Sequence, residues 1–449
     1  MVITPATSRD ILIVGGGLGG LAAATALSAD GHRVRVLEGT KVFAEAGAGI
    51  RLPPNSTRLL QKWNIDFGEI KYCRAGSYHF RRWQDGSTIR IIPLHEAETL
   101  WGAPYLHVHR ADLHTGLLKK ALANGVQVVN NAKVVKYDFD APSVTLEDGQ
   151  VLTAELVLAA DGIKSLARAQ LFGNSIPPRD TGDVAYRILI RGEQMLKDAE
   201  LAPLILQPGT TSWCGPEAHI VGYPIRAGEL YNIVVCATRR PGECETDWVI
   251  QGDRADLMDR FKDWEPRIQK LCALADSFLK WRLHDLMPVP SWVHSASKVA
   301  LLGDSCHPTL PYLSQGAAAA FEDAACLSQG LRRRSTIAAA LSDYEAIRKP
   351  RASIIQAKSR EHQELLHVED GEFQRRRDME MAMDRDSNPL FWGWADRRKW
   401  LFAHDAEAAE SFVPLVTEDG AKPSSQRQAS QRGFFSVQSL PITAQAVKL

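Results

Sequence analysis

The 449-residue sequence lacks the features that direct a chain to a membrane or to a nucleic acid. No uninterrupted apolar stretch reaches the roughly 18 residues that a membrane-spanning helix needs, and the N-terminus has no apolar signal-peptide core. The formal net charge is zero, with 53 Lys plus Arg against 53 Asp plus Glu. That balance gives no electrostatic basis for binding a phosphate backbone or an anionic lipid surface. We therefore expect no membrane span and no nucleic-acid partner.

Cysteine pairs and metal-binding clusters are also missing. The seven cysteines are scattered singly, without a C-x-x-C pair, a pattern typical of reduced thiols, so we expect a cytoplasmic protein. His107 and His109 alternate along one apolar segment, but no cysteine or carboxylate cluster completes a site, and we expect no metal. No G-x-S-x-G motif is present, so a hydrolase nucleophile elbow is not expected.

What the sequence does contain is a nucleotide-binding pattern near its start. The stretch D-I-L-I-V-G-G-G-L-G-G-L begins as a buried strand, and a helix is predicted to start at about Leu18. Three of its glycines stand in G-x-G-x-x-G spacing: Gly15, Gly17 and Gly20. This spacing gives a tight turn, a close approach to a pyrophosphate and close helix packing. A second strand ends at Glu38, placed to bind an unphosphorylated ribose, which favours FAD or NAD over NADP.

Two further apolar strands end in acidic residues beside a glycine, at Asp161 and Asp304. Ligands of open parallel sheets lie outside the carboxyl ends of strands, so these residues and Glu38 are predicted to converge on one extended ligand. Residues 180–290 instead show alternating apolar and polar positions, which predicts a second, antiparallel sheet.

Four segments together resemble the single-component FAD monooxygenases, above all their salicylate hydroxylase-like branch, many of whose members serve fungal secondary metabolism. They are G-G-G-L-G-G…E, V-H-R-A-D-L, A-A-D-G-I-K-S and L-L-G-D-S-C-H-P-T-L-P-Y-L-S-Q-G-A. The resemblance covers about residues 8–365. It implies an α/β fold of the p-hydroxybenzoate hydroxylase type, with a Rossmann-like FAD-binding domain, an inserted antiparallel-sheet substrate domain and C-terminal helices. The predicted FAD-binding domain comprises residues 1–180 and, where the chain returns to it, 291–370. The predicted substrate domain comprises residues 181–290. Residues 371–449 are predicted to form C-terminal helices and a weakly ordered tail.

The resemblance also implies cofactor-binding roles, position by position. The glycines and the helix start at Leu18 would hold the FAD pyrophosphate, and Glu38 would hold the adenosine ribose. Arg110 would lie along the diphosphate and ribityl region, Asp161 would serve FAD and NAD(P)H, and Asp304 would contact the ribityl chain or diphosphate. The remaining residues would lie near the flavin ring: Gly49, Arg51, Pro311, Gly316, Ala317 and Ala318. Many relatives carry Asn where this chain has Ala318, so only backbone donors are expected at that position.

Substrate contacts are expected from the second sheet. The segment A-Y-R-I-L-I resembles the substrate-side strand, so Tyr186 and Arg187 are the first candidates, with Arg187 holding a phenolate, carboxylate or carbonyl oxygen. The alternative for Arg187 is a surface or salt-bridging arginine. Tyr223 and His219 share one face of another strand and are further candidates for catalysis and substrate binding, although such residues are often core.

The reaction implied is hydroxylation, or oxidative rearrangement, of an electron-rich aromatic or indolic molecule. NAD(P)H would bind transiently and reduce FAD, and O2 would then form a C4a-hydroperoxide that transfers oxygen. Two alternatives stay open: an FAD-dependent epoxidase or dehydrogenase acting on a non-aromatic substrate, and a non-enzymatic prenyl-GTPase escort of similar fold. The sequence leaves the substrate, the nicotinamide preference and the choice between monomer and homodimer undecided.

Overall fold

A computed structural model describes residues 8–43, 48–243 and 247–415. In these residues the strands are β1 (Asp10–Val14), β2 (Arg33–Leu37), β3 (Gly49–Leu52), β4 (Cys73–Arg74), β5 (Ser77–Arg82), β6 (Thr88–Pro93), β7 (Leu106–His109), β8 (Gln127–Val129), β9 (Val134–Asp138), β10 (Ser143–Leu146), β11 (Val151–Thr153), β12 (Leu156–Ala159), β13 (Arg179–Arg191), β14 (Thr210–Gly215), β15 (Ala218–Ile225), β16 (Leu230–Thr238), β17 (Val249–Gln251), β18 (Phe278–Asp285) and β19 (Val299–Leu301). The α-helices are α1 (Leu18–Ala29), α2 (Pro54–Lys62), α3 (Ala97–Trp101), α4 (Arg110–Ala123), α5 (Leu166–Phe172), α6 (Gly192–Met195), α7 (Ala202–Leu206), α8 (Arg254–Arg260), α9 (Pro266–Ala273), α10 (Gly316–Arg333), α11 (Ile337–Leu366), α12 (Glu372–Met381) and α13 (Ala395–Phe402). Short 3-10 turns occur at Arg226–Gly228, Gly303–Ser305, Pro311–Leu313 and Phe391–Gly393.

A five-stranded parallel sheet carries the glycine motif. Its order is β19-β12-β1-β2-β8, and every neighbouring pair is parallel. The strands β1, β12 and β19 are apolar and almost fully buried, because helices cover both faces of such a sheet. The alanine-rich helix α1 packs on α10, and its small side chains allow this close approach. The strand, turn and helix predicted from the motif are therefore confirmed.

The second large sheet has eight strands in the order β17-β18-β13-β16-β15-β14-β5-β6. All pairs are antiparallel except β14 with β5. One face packs on α8 and α9 through a core that includes Trp213, Tyr231 and Phe278. The other face supplies a wall of the cavity described below. The chain turns at Asp85 between β5 and β6, and this hairpin joins the sheet although it precedes residue 181.

Two smaller sheets complete the fold: β3-β7-β4 and β11-β10-β9. Between β2 and α2 the chain forms a further strand, β3, because Gly49–Leu52 pairs antiparallel with β7. The described residues up to Val413 form one compact unit, and none of their helices is both long and apolar enough to cross a membrane. The weakly ordered tail predicted at the end of residues 371–449 lies mostly outside the described residues.

Candidate functional site

The glycine loop is shaped for a close approach by a ligand. Gly15 has φ +108°, a conformation that disfavours any side chain. A Cβ at Gly20 would overlap the carbonyl oxygen of Gly15, so close packing between helix and turn requires glycine there. Gly17 differs, because a Cβ built on it meets nothing within 4 Å. Gly17 and Leu18 face an open cavity at the N-terminus of α1, where free N–H groups and the helix dipole favour an anion.

A single cavity of about 400 Å³ runs from this loop to the eight-stranded sheet. Twelve of the residues singled out from the sequence line it: Gly17, Leu18, Gly49, Arg51, Arg110, Arg187, His219, Tyr223, Asp304, Pro311, Gly316 and Ala317. Segments from both sheets thus meet around one volume. Sequence reasoning assigned no role to several other lining residues: Tyr78, Phe80, Tyr312, Ser314, His362 and Trp392.

Five predicted cofactor residues do not line the cavity: Gly15, Gly20, Glu38, Asp161 and Ala318. The Glu38 carboxylate accepts hydrogen bonds from the backbone N–H of Gly16 at 2.9 Å and of Thr40 at 2.8 Å. It therefore braces the glycine loop from the end of β2. Ala318 is buried within α10.

Asp161 lies just behind the cavity wall. Its two neighbours in the chain, Ala160 and Gly162, line the cavity. Its Oδ2 accepts hydrogen bonds from the Tyr137 hydroxyl and the Ala167 N–H, each at 3.1 Å. Its Oδ1 is buried without a partner among the described residues.

A second helix N-terminus opens on the cavity at Gly316, where α10 begins. The residue before it, Gln315, provides no side-chain cap, so the first N–H groups of α10 are available to an outside acceptor. Asp304 lies nearby, with its side chain exposed to the cavity. Arg110, at the junction of β7 and α4, faces the same region, and burial lowers the pKa of its guanidinium.

Arg51 is the most unusual charge in the cavity. Its side chain projects from β3 and is buried, with its guanidinium 5.4 Å from the Tyr78 ring centre and 5.7 Å from that of Tyr223. Its Nη1 has no hydrogen-bond partner, and no carboxylate within the described ranges forms an ion pair with it. A buried cation without a counter-ion is costly unless a ligand supplies the opposite charge.

Arg187 is the second arginine of the cavity. It lies on β13 with its side chain exposed to the cavity and its guanidinium 5.7 Å from the Trp281 ring centre, so the surface alternative stays open. No ion pair to Arg187 is formed by the described part of the chain, so the salt-bridging alternative finds no partner there. Tyr186 points to the opposite face, where its hydroxyl contacts Glu243 at 2.7 Å. Neighbouring residues of a strand face opposite sides, so only Arg187 of this pair can contact a ligand in the cavity.

His219, Val221 and Tyr223 share the cavity face of β15, as their spacing predicted. Burial raises the pKa of Tyr223 to about 12, so this residue is a neutral phenol. Nδ1 of His219 lies 2.8 Å from Nε2 of His367, a residue without any local sequence signal.

Two other histidines, His107 and His307, contact polar side chains. Nε2 of His107 contacts the Thr210 hydroxyl at 2.9 Å, and burial lowers its pKa to about 3. His307 contacts Asp323 at 2.5 Å and is a packed residue of the loop before α10. No group of three or more metal-ligating side chains occurs in the ranges that the structure describes.

These features fit a bound dinucleotide such as FAD. The cavity offers two helix N-termini, a glycine turn with space above Gly17, and buried polar atoms without partners on Arg51 and Ser314. One end is suited to phosphates, whereas the other is walled by Tyr78, Phe80 and Trp392. A long ligand that is anionic at one end and aromatic at the other matches both ends.

Comparisons with known proteins agree with this fit. Residues 8–359 match the family model FAD_binding_3, described as an FAD binding domain. The FAD-dependent monooxygenase OpS4 of Beauveria bassiana (strain ARSEF 2860) is 36% identical over 417 residues, covering 90% of this chain and 97% of the relative. The 3-hydroxybenzoate 6-hydroxylase 1 of Aquipseudomonas alcaligenes is 32% identical, covering 88% of this chain and 98% of the relative.

Solved structures show the same fold. The substrate complex of a salicylate hydroxylase superposes with a TM-score of 0.73 at 26% identity, covering 93% of this chain and 99% of the other. Klebsiella pneumoniae HpxO, complexed with FAD and uric acid, superposes with a TM-score of 0.72 at 27% identity, covering 85% of this chain and 95% of the other. The chain therefore belongs to the FAD-binding domain family of FAD-dependent monooxygenases, as its motifs predicted.

Proposed function

We propose that this chain uses NAD(P)H and O2 to hydroxylate a small, electron-rich aromatic compound that carries a negative charge. The observation behind the proposal is Arg51, a buried guanidinium that lines the cavity without a protein counter-ion. A carboxylate or phenolate on the substrate would supply that charge and accept the unused Nη1 hydrogen. Relatives named for 3-hydroxybenzoate and for salicylate are consistent with such a substrate.

The cofactor would occupy the end of the cavity nearest the glycine loop. We assign its pyrophosphate to the N-terminus of α1, its ribityl region to Arg110 and Asp304, and its ring to the N-terminus of α10. Asp161 and Glu38 would brace these loops from behind the cavity wall. The predicted division into FAD-binding segments 1–180 and 291–370 and a substrate segment 181–290 is part of the same proposal, with β5 and β6 added to the substrate side.

Bound FAD supplies the chemistry that no side chain of the chain provides, namely electron transfer from NAD(P)H and activation of O2. The protein would bind, orient and shield the substrate. Tyr78, Phe80 and Trp392 form an apolar wall for an aromatic ring, with Tyr78 and Phe80 stacked at 4.4 Å between ring centres. Arg51 would fix one edge of that ring, and Arg187 would face the other oxygen substituent. Enclosure by these side chains excludes water from the reacting centre.

The proposal also covers the cellular compartment of the enzyme and the kind of partner it binds. Six cysteines of the described ranges are free and buried, in keeping with reduced thiols, and we propose that the enzyme works in the cytoplasm. Its partner is a small molecule.

The test begins with colour and turnover. Purified protein should be yellow with bound FAD, and a panel of phenols, hydroxybenzoates and indoles should be screened for stimulated NAD(P)H oxidation. A true substrate should consume one O2 per NAD(P)H and gain one oxygen atom by mass spectrometry. Hydrogen peroxide without product, or turnover only with non-aromatic alkenes, would favour an oxidase or epoxidase instead. Correctly folded protein that binds no FAD would end the proposal.

The charge requirement is tested by comparing Arg51→Gln with Arg51→Lys. The Gln variant should retain FAD but lose roughly 10- to 100-fold in kcat/KM for an anionic aromatic, since a charged hydrogen bond is removed. Lys should restore part of that loss. The uncharged amide or ester of the same compound should be a poor substrate for every variant. Equal activity of the wild type on the charged and uncharged compounds, or an Arg51→Gln variant that keeps the full wild-type preference for the charged compound, would contradict the anionic substrate.

A further inference from the structure

A second open space adjoins the cavity on the far side of Arg187. This outer groove has a volume of about 350 Å³, and its lining includes Leu189, Gln251, Leu279 and Trp281. Arg187 lines both the outer groove and the cavity. The outer groove therefore begins where the proposed site for the aromatic ring ends.

The outer groove and the cavity share one floor, which is the same face of the eight-stranded sheet. Arg187 of β13 pairs with Val234 of β16 on one side and with Leu279 of β18 on the other. Leu279 in turn pairs with Gln251 of the edge strand β17. Directly paired residues of neighbouring strands project to the same face of a sheet. This row of residues therefore runs from Val234, which lines the cavity, to the edge of the sheet.

The side chain of Arg187 stands between the two spaces. It is exposed, and no ion pair within the described ranges holds its guanidinium, which lies 5.7 Å from the Trp281 ring centre. Ala48 lines the outer groove and the next residue, Gly49, lines the cavity, so one short piece of backbone borders both. Rotation about the side-chain bonds of Arg187 would join the two spaces without any change in the backbone.

The lining of the outer groove is mainly apolar. Leu189, Leu279 and Trp281 are only partly buried, so part of their apolar surface is exposed in the ligand-free protein. Arg187 is the only charged residue among the described residues that line the groove, and the other two polar side chains are neutral. The phosphates of NAD(P)H would need further cations or a helix N-terminus. An uncharged, apolar group therefore fits the groove better than a dinucleotide does.

We propose that the outer groove binds an apolar substituent, such as an alkyl or acyl chain, of the aromatic compound whose ring occupies the cavity. The substrate is then a phenol or hydroxybenzoate extended by several carbon atoms. Leu279 and Trp281 would cover the substituent, and Arg187 would lie beside the bond that joins it to the ring. With Arg51 at another edge of the ring, two fixed points would set the ring carbon that is hydroxylated. The inference rests on the proposed function, because it requires an aromatic ring in the cavity.

The test measures how binding depends on chain length. FAD-loaded protein is titrated with phenols and hydroxybenzoates that carry unbranched alkyl chains of increasing length at each free ring position in turn. The dissociation constant is read from the change in flavin absorbance, and KM from NAD(P)H oxidation with oxygenated product. At one ring position, both should fall by roughly threefold for each added methylene until the groove is full. Chains at the other positions should weaken binding.

Two variants obstruct the outer groove. Leu279→Trp places a larger ring on its floor and should remove the gain from chain length, so that long and short compounds have similar KM values. Gln251→Trp obstructs the same row from an exposed position, where folding should be unaffected, and should shorten the longest chain that still improves binding. The matched control is Ile91→Trp, which adds the same ring at an exposed position of β6, the opposite edge of the sheet. It should keep the wild-type dependence on chain length.

The possible outcomes separate the subsite from the proposed function. A wild-type KM that does not fall with chain length at any ring position, although the unsubstituted compounds are hydroxylated, would overturn the subsite alone. A KM for NAD(P)H that rises equally with every compound in Leu279→Trp, with the chain-length gain intact, would assign the groove to the nicotinamide and overturn it too. Slower flavin reduction with every compound alike would assign the groove to a displaced flavin ring, with the same consequence. If no compound binds or is hydroxylated, with or without a chain, the proposed function itself fails.

Discussion

At the scale of single residues, two glycines of one motif should respond differently to the same change. Gly17→Ala should fold normally, since φ is −71° and a Cβ meets nothing within 4 Å. The added methyl group would occupy space meant for a pyrophosphate, so FAD affinity should fall by roughly tenfold or more. Gly20→Ala should instead destabilise the fold by about 1–3 kcal/mol, because its Cβ overlaps Gly15.

The measurement for this pair is flavin content together with chemical denaturation of the FAD-free protein. The two variants serve as controls for each other, since each adds one methyl group to the same turn. Normal FAD binding by Gly17→Ala would show that no phosphate approaches that position.

Arg51 should also reveal a conflict between stability and function. Arg51→Met removes a buried charge without a counter-ion, so the ligand-free protein should become more stable by about 1 kcal/mol. Arg168→Met is the contrasting variant. Its buried guanidinium donates to the carbonyls of Ile176 and Ser305 at 3.2 and 2.8 Å and also to that of Ile163. Loss of these bonds should cost about 2 kcal/mol or more.

Urea denaturation of both variants without ligand checks this prediction. A loss of stability in Arg51→Met as large as in Arg168→Met would mean that Arg51 has a structural partner. The proposal that its charge is kept for a ligand would then lose its basis.

At the scale of secondary-structure elements, buried charges join α10 to α11. Arg348 of α11 donates to Glu322 at 2.5 Å and to Asp323 at 2.9 Å, and all three side chains are fully buried. Asp323 in turn accepts the Gly303 N–H at 3.0 Å and contacts His307. The network thereby holds the loop that presents Asp304 to the cavity.

Arg348→Met should therefore reduce the free energy of unfolding by about 3 kcal/mol or more, since it leaves Asp323 buried without its arginine, whereas Glu322 keeps Arg351 at 2.9 Å. Arg334→Met is the control at the exposed pair with Asp343, where little change is expected. Urea denaturation gives both values. A small effect of Arg348→Met, similar to that of Arg334→Met, would mean that water or rearrangement compensates the carboxylates.

Elements whose signals are local could be predicted from the sequence. The β1 strand, its glycine turn and α1 were predictable because each needs only neighbouring residues, and the same holds for the junction at Arg110. The partnership of His219 with His367 could not be predicted, because 148 residues separate them and no periodic pattern links a strand to a helix end. Tyr186 shows the limit of motif reasoning, since alternation along β13 turns it away from the cavity that Arg187 faces.

At the scale of the whole molecule, many titratable groups are buried with shifted pKa values, which makes acid the natural denaturant. Burial lowers the pKa to about 3 for His107 and His404 and to about 4 for His362 and His367. Such a histidine has a lower pKa in the folded protein than in the unfolded chain, where the pKa is about 6.5. Its contribution to the stability of the fold is complete above that pH and is lost as the pH falls. Burial acts to raise the pKa of Glu322 and Asp323, but the cations around them lower it below its usual value. Protonation of these two carboxylates therefore adds a further loss of stability below about pH 4.

As the pH is lowered, the free energy of unfolding should accordingly begin to fall below a pH of about 6.5, which is well above the pH at which ordinary carboxylates titrate. Each histidine protonated only in the unfolded chain adds a slope of about 1.4 kcal/mol per pH unit, so denaturation curves between pH of about 7 and about 4.5 should show it. His404→Gln should reduce the slope by about one proton. A wild-type stability that stays level down to pH of about 5 would mean that these histidines are hydrated in the folded protein, and that its interior is wetter than the packing around them implies.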